Sequence, residues 1–242
     1  MKELENWQKE FEYCIYTKRL LDKVIYLNSI VKVPTVDVLA VKKAIYYAWK
    51  YHGSQMRQSG EPFYSHPIEV AYMISDYLFR TDVLVTSILH DTIEDTELTK
   101  EKIAEEFGIK VANQVMDLTR IKEDSIKISS AEMVEMLYKE KKHDVMLIKL
   151  FDRLHNMQTI GAKSPKKIKK IVTETIGTFL LLSNYLELES IKLNLFELCH
   201  KYIIRPHYNS TTTFNPYSLL SSDNYQPLFP VFQNDIDRKY II

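Results

Sequence analysis

A chain of 242 residues is long enough to bury one substantial core, so size does not stand in the way of an enzyme. Lys plus Arg and Asp plus Glu both total 32, which leaves none of the basic excess that a nucleic-acid binder uses to neutralise phosphates. Cys14 and Cys199 form neither a disulfide framework nor a zinc-thiolate pattern, the charged start MKELENWQKE lacks a signal peptide's apolar core, and no apolar run reaches the roughly 18 residues of a membrane span. The expectation is a soluble, cytoplasmic protein with no nucleic-acid or membrane partner.

Apolar positions recur at three and four residues rather than alternating, and only five glycines interrupt them, which predicts an all-α fold. About ten helices are expected, from about residue 3 to 28, 35 to 52, 67 to 78, 82 to 95, 99 to 107, 109 to 121, 130 to 141, 143 to 160, 165 to 187 and 190 to 204. Pro67 and Pro165 suit first helical positions, where the missing N–H costs nothing. Ser129 with Glu132 fits a capping box, and Gly108 and Gly161 stand where a left-handed helix end favours glycine. Residues 52–67, HGSQMRQSGEPFYSHP, have loop chemistry and yet carry His52, Arg57 and His66. Beyond 204 the composition changes to a proline-containing tail without periodicity, in which Asp223 is the only charge between Pro206 and Asn234, so the expected organisation is a domain over 1–204 and an irregular extension over 205–242.

Within ILHDTIEDT, 100° steps put Val85, Ile88, Leu89, Thr92 and Ile93 on one side of a helix over 82–95 and Ser87, His90, Asp91, Glu94 and Asp95 on the other. In LIKLFDRLHNM the same steps gather Leu147, Leu150, Leu154 and Met157 opposite Asp152, His155 and Asn156. Burying Asp91, Glu94, Asp95 and Asp152 together without a cation would be strongly unfavourable, and a divalent metal removes the conflict. His66, His90, Asp91 and Asp152 offer two neutral nitrogens and two anionic oxygens, a set that suits Mn, Fe or Zn and leaves room for water. A solvated helix face would carry the same acidic spacing, and Asp152 with Arg153 would then be an exposed ion pair of little worth.

The order His66, His90-Asp91, Asp152 resembles the HD superfamily of metal-dependent phosphohydrolases. HGSQMRQSGEPFYSHP, ILHDTIEDT and IKLFDRLHNMQT are similar to the hydrolase domain of the RelA/SpoT-type enzymes, which degrade guanosine 3′,5′-bis-diphosphate (ppGpp) and the pentaphosphate. FGIKVANQVMDLTRI and YLELESIKLNLFELCHKYI extend the similarity over roughly 35 to 204. A bare HD pair is widespread, whereas HDxxED marks this branch.

The resemblance implies an all-helical bundle in which His66, His90, Asp91 and Asp152 hold Mn²⁺. Glu94 and Asp95 would position and deprotonate the attacking water, Arg57 would meet the pyrophosphate, and Asn156 the nucleoside, with Ser59 and Thr159 as further substrate contacts. Gln58 and Gln158 stand where the family usually has Lys and Arg, a difference that bears on guanine or phosphate affinity. The long family members continue into a synthetase domain, for which too few residues follow 204, so the expectation is hydrolysis without synthesis. Two other activities fit the same residues: an HD-type hydrolase of another nucleotide, or a nucleotide-binding regulatory module with little turnover.

Overall fold

The computed structural model describes residues 7–11, 14–31, 35–120 and 127–204. The extension expected over 205–242 lies outside the described residues. The helices are α1 (Trp7–Glu10), α2 (Ile15–Ile30), α3 (Val38–His52), α4 (Ser65–Ile74), α5 (Thr81–Leu89), α6 (Thr92–Asp95), α7 (Lys100–Phe107), α8 (Ile109–Leu118), α9 (Ser130–Lys139), α10 (His143–Gln158), α11 (Pro165–Glu174), α12 (Leu180–Tyr185) and α13 (Glu189–Ile204). A 3₁₀ turn spans Ile160–Ala162, and a π-helical turn, Thr175–Phe179, joins α11 to α12. Among the described residues there is no β-strand, and the class is all-α as the apolar periodicity predicts.

Local chemistry explains several boundaries. Ser129 and Glu132 form the reciprocal capping box at the start of α9, and Pro165 opens α11. Pro67 is not at a first position: α4 begins at Ser65, so the proline lies deeper in the first turn, where its missing N–H still costs no helical bond. Gly108 joins α7 to α8 at φ 89°, which any residue with a Cβ adopts only under strain. Gly161 has no positive φ; it sits within the 3₁₀ turn, where a Cβ would come within 3.2 Å of the Tyr202 hydroxyl.

Three expected helices are broken. The first divides into α1 and α2, and the helix expected over 82–95 stops at Leu89 and resumes at Thr92. The one expected over 165–187 carries the π turn, where the Thr175 hydroxyl donates to Ile171 O at 2.7 Å, a side-chain bond that competes with the backbone ladder.

The described residues form two compact units, one up to Asp152 and one from Arg153. In the first, α5 packs against α3, α4 and α8, and every residue from Val83 to Leu89 is buried. The apolar and polar faces drawn from 100° steps therefore do not describe α5, which is enclosed all round. Its polar groups are satisfied inside: Thr86 donates to Gln114 Oε1 and Ser87 to Val83 O, both at 2.8 Å. Leu84, Ile88 and Leu89 are wholly buried, and each such side chain contributes about 1.5–3 kcal/mol. On the α2–α4 contact, Arg19 pairs with Glu69 at 2.8 Å and Lys23 with Asp76 at 2.7 Å, and both cations lie over the Tyr72 ring.

In the second unit, α11 and α13 pack on one another and on the π turn. Arg153 pairs with Glu174 at 3.0 Å and lies over the Phe179 ring.

Candidate metal centre

The place where α5 ends is decided by two side chains. His90 Nδ1 donates to Ser87 O at 2.7 Å and the Thr92 hydroxyl donates to Leu89 O at 2.7 Å. Both carbonyls would otherwise need partners at a helix end, so side chains take over from the ladder and the chain turns through Asp91 at φ −96°, ψ −6°. The bond to Ser87 fixes a proton on Nδ1 and leaves Nε2 as the atom that faces the site. That nitrogen is buried, on a residue 1% exposed, and faces the Asp91 and Asp152 carboxylates.

Three elements of the first unit converge on it. The 53–64 loop delivers the chain into α4, whose first turn carries His66; the turn after α5 carries His90 and Asp91; α10 carries Asp152. His66 Nε2 lies 3.1 Å from Asp152 Oδ1 and 3.7 Å from Asp91 Oδ2. His90 Nε2 lies 3.1 Å from Asp91 Oδ1 and 3.8 Å from Asp152 Oδ1. One ligand atom each from His66, His90 and Asp152 lies within 4.8 Å of the others, all on buried residues. Asp91 stands beside this trio, partly open to solvent.

The charges tell the same story. Burial alone weakens the basicity of both imidazoles, and His66 stays below its ordinary range. At His90 the Asp91 and Asp152 carboxylates outweigh burial and push the imidazole up to about 10. Asp91 and Asp152 resist burial and remain anionic, Asp91 through His90 and Asp152 through Lys149 and the two histidines. The Asp91 and Asp152 carboxylates thus draw positive charge to one point, which a proton on His90 supplies in the metal-free site and a divalent cation would supply in its place. The donors fit a metal ion.

Lys149 escapes a reading by motif. Its ammonium donates to Asp152 Oδ2 at 2.8 Å with both side chains buried, which leaves Oδ1 toward the histidines. The i, i+3 spacing was the available signal. His52 was likewise unassigned: buried against Phe63, it faces Gln55 Oε1 through Nδ1 at 3.0 Å. The Gln55 amide then donates to Asp95 O at 3.0 Å, tying the acidic turn to the 53–64 loop.

The two acids of α6 part company. Glu94 is held by Arg120 at 2.7 Å and Lys127 at 2.6 Å; burial raises its carboxyl, and these partners bring it below the usual range. Asp95 is at the exposed rim without such a partner, and partial desolvation, then Asp91 and Glu94, push its carboxyl up to about 6.

Arg57 is half-buried and feels the Asp152 and Asp91 carboxylates. Ser59 is exposed and hydrogen-bonded to the Glu61 carboxylate. Asn156, half-buried in the last turn of α10, and Thr159, whose hydroxyl donates to His155 O at 3.0 Å, belong to the second unit. No helix among the described residues is long and apolar enough to cross a membrane.

The chain is 36% identical over 175 residues to the GTP pyrophosphokinase rsh of Brucella abortus, covering 70% of this chain and 23% of that protein. It is 34% identical over 187 residues to the guanosine-3′,5′-bis(diphosphate) 3′-pyrophosphohydrolase of Aquifex aeolicus, covering 76% of this chain and 27% of that protein. The chain thus spans about a quarter of these relatives' length. A solved structure reported with the words "A metazoan ortholog of SpoT hydrolyzes ppGpp and plays a role in starvation responses" shares the fold, with a TM-score of 0.52 and 22% identity, covering 71% of this chain and 98% of that one. The HD domain family model matches residues 44–188, which takes in every side chain of the centre, and the chain belongs to the HD domain family.

Proposed function

We propose that this domain hydrolyses the 3′-pyrophosphate ester of ppGpp or its pentaphosphate counterpart, leaving GDP or GTP. What carries the assignment is the convergence of His66, His90, Asp91 and Asp152 beside the acidic pair Glu94-Asp95. Its sequence setting is similar to that of a protein named for this activity. Asp91 is the fourth ligand in this proposal, and Mn²⁺ the ion, since imidazole and carboxylate together suit a borderline metal. A divalent cation bound there lowers the pKa of water and neutralises charge on phosphoryl oxygens.

The chain's own residues do the rest. Asp95, with a carboxyl near 6, is ionised at neutral pH and takes the proton as the water oxygen bonds to the phosphorus next to the ribose. The bond from that phosphorus to the 3′ oxygen breaks, the 3′ oxygen takes up a proton, and pyrophosphate departs with the oxygen of the water. Arg57 grips two phosphate oxygens with its planar fork. Asn156 contacts the nucleoside, and Ser59 and Thr159 contact the substrate. Glutamine at 58 and 158 bears on how tightly guanine or phosphate is held. The catalytic domain occupies residues 1–204, with 205–242 as an appendage, and acts on a cytoplasmic nucleotide pool.

Incubation with Mn²⁺ and ppGpp should release one pyrophosphate per GDP formed. No release under conditions where a relative turns over would overturn the proposal. Equal hydrolysis of GTP and ATP, which lack a 3′-pyrophosphate, would point instead to another nucleotide phosphohydrolase.

A further inference from the structure

Arg120 follows the end of α8, far in sequence from the metal centre, and no motif singled it out. Its guanidinium donates to Glu94 through Nη2 at 2.7 Å and Nε at 3.3 Å, and its backbone N–H reaches the same carboxylate at 3.3 Å. Lys127 adds an ammonium at 2.6 Å. The Glu94 side chain is 5% exposed, whereas Arg120 and Lys127 are 35% and 55% exposed. A nearly enclosed carboxylate is therefore gripped from outside by two cations, one of them through a rigid two-pronged fork. Such a group is an anchor: every pull on it is already answered, and its proton affinity is the wrong one for accepting a proton from water.

We infer that Arg120 is a positioning residue for the hydrolysis, clamping Glu94 as a fixed anion so that the α6 turn presents the adjacent Asp95 alone to the reacting water. This rests on the hydrolase proposal above, and it divides roles that the HDxxED spacing leaves equal. The geometry gives Arg120 a task that Lys127 cannot fill alone, because an ammonium on a flexible stem fixes distance but not orientation. The turn is held at its other side by the Gln55 amide on Asp95 O at 3.0 Å. The charged groups acting on the Asp95 carboxylate are Asp91 and Glu94, which disfavour its ionisation, and Lys127 and Arg120, which favour it.

The test compares Arg120→Gln, Glu94→Gln, the double variant and Arg120→Lys in the full chain. Each glutamine substitution should lower kcat roughly 10–100-fold, the scale of a displaced catalytic group, with KM and Mn²⁺ affinity little changed. The double variant should lose no more than either single one, since both break the same contact. Arg120→Lys should recover part of the loss. A KM increase at unchanged kcat would make Arg120 a substrate contact, and losses that multiply in the double variant would make the two residues independent; either result overturns the inference. Backbone amide hydrogen exchange of the α6 turn in metal-free protein needs no activity: Arg120→Gln should speed it, and unchanged exchange overturns the clamp. Absence of turnover in the unmodified chain would defeat the hydrolase proposal alone, leaving the exchange measurement to decide the positioning role.

Discussion

Glu94 and Asp95 are neighbours in sequence and end in opposite surroundings: Glu94 is enclosed and paired with Arg120 at 2.7 Å, while Asp95 is exposed and crowded by carboxylates. Asp95→Asn should therefore lower kcat by about 10²–10⁴-fold, the usual worth of a general base, with the ion retained. Glu94→Gln should cost less. Steady-state rates with metal content measured on the same samples check both, and a Glu94 variant more impaired than the Asp95 variant would reverse the assignment.

The pH dependence follows from the same contrast. A base works ionised, so a carboxyl near 6 gives a rate that is full above that value and falls as pH drops through it. The acidic limb of kcat should lie at or below pH 6, because a cation bound at Asp91 favours the ionised carboxylate, and disappear in Asp95→Asn. A limb that survives in Asp95→Asn would place another group in the role.

Metal binding and stability are linked through Asp152. A ligand that binds only the folded state stabilises it by about 2.7 kcal/mol at a hundred times its Kd. Mn²⁺ should raise the Tm of the unmodified chain, and His90→Ala and Asp152→Ala should lose both that rise and activity. Thermal melts with and without the ion measure this directly.

Away from the centre, Glu106 bridges Lys43 at 2.6 Å and Lys102 at 2.7 Å. Burial raises its carboxyl, but Lys102 and Lys43 outweigh that and hold it down at about 2. A depressed carboxylate stabilises the fold above its unfolded pKa, near 4.5, and loses that contribution as pH falls toward 2. Acid unfolding should show roughly 1–2 kcal/mol less pH dependence over that window in Glu106→Gln, the full shift being discounted for solvent screening. Denaturant melts at neutral and acidic pH give the comparison, with equal slopes in the two chains as the contrary result.

The apolar repeat by itself determined that the chain is helical, because three-and-four spacing is a local property that survives any packing. Ser129 with Glu132 was legible for the same reason: a capping box is closed by residues three apart. The candidate ligands were legible as residue types, since His66, His90-Asp91 and Asp152 carry chemistry that few other roles require. The geometry of their meeting was not. It depends on α5 stopping at Leu89, and that stop is made by His90 and Thr92 bonding carbonyls that a helical wheel assumes are spent in the ladder. Nor could spacing separate Glu94 from Asp95, because the groups that do so, Arg120 and Lys127, come from beyond α8. Electrostatic surroundings are made by distant parts of the chain, so residue identity was readable in one dimension and proton affinity only in three.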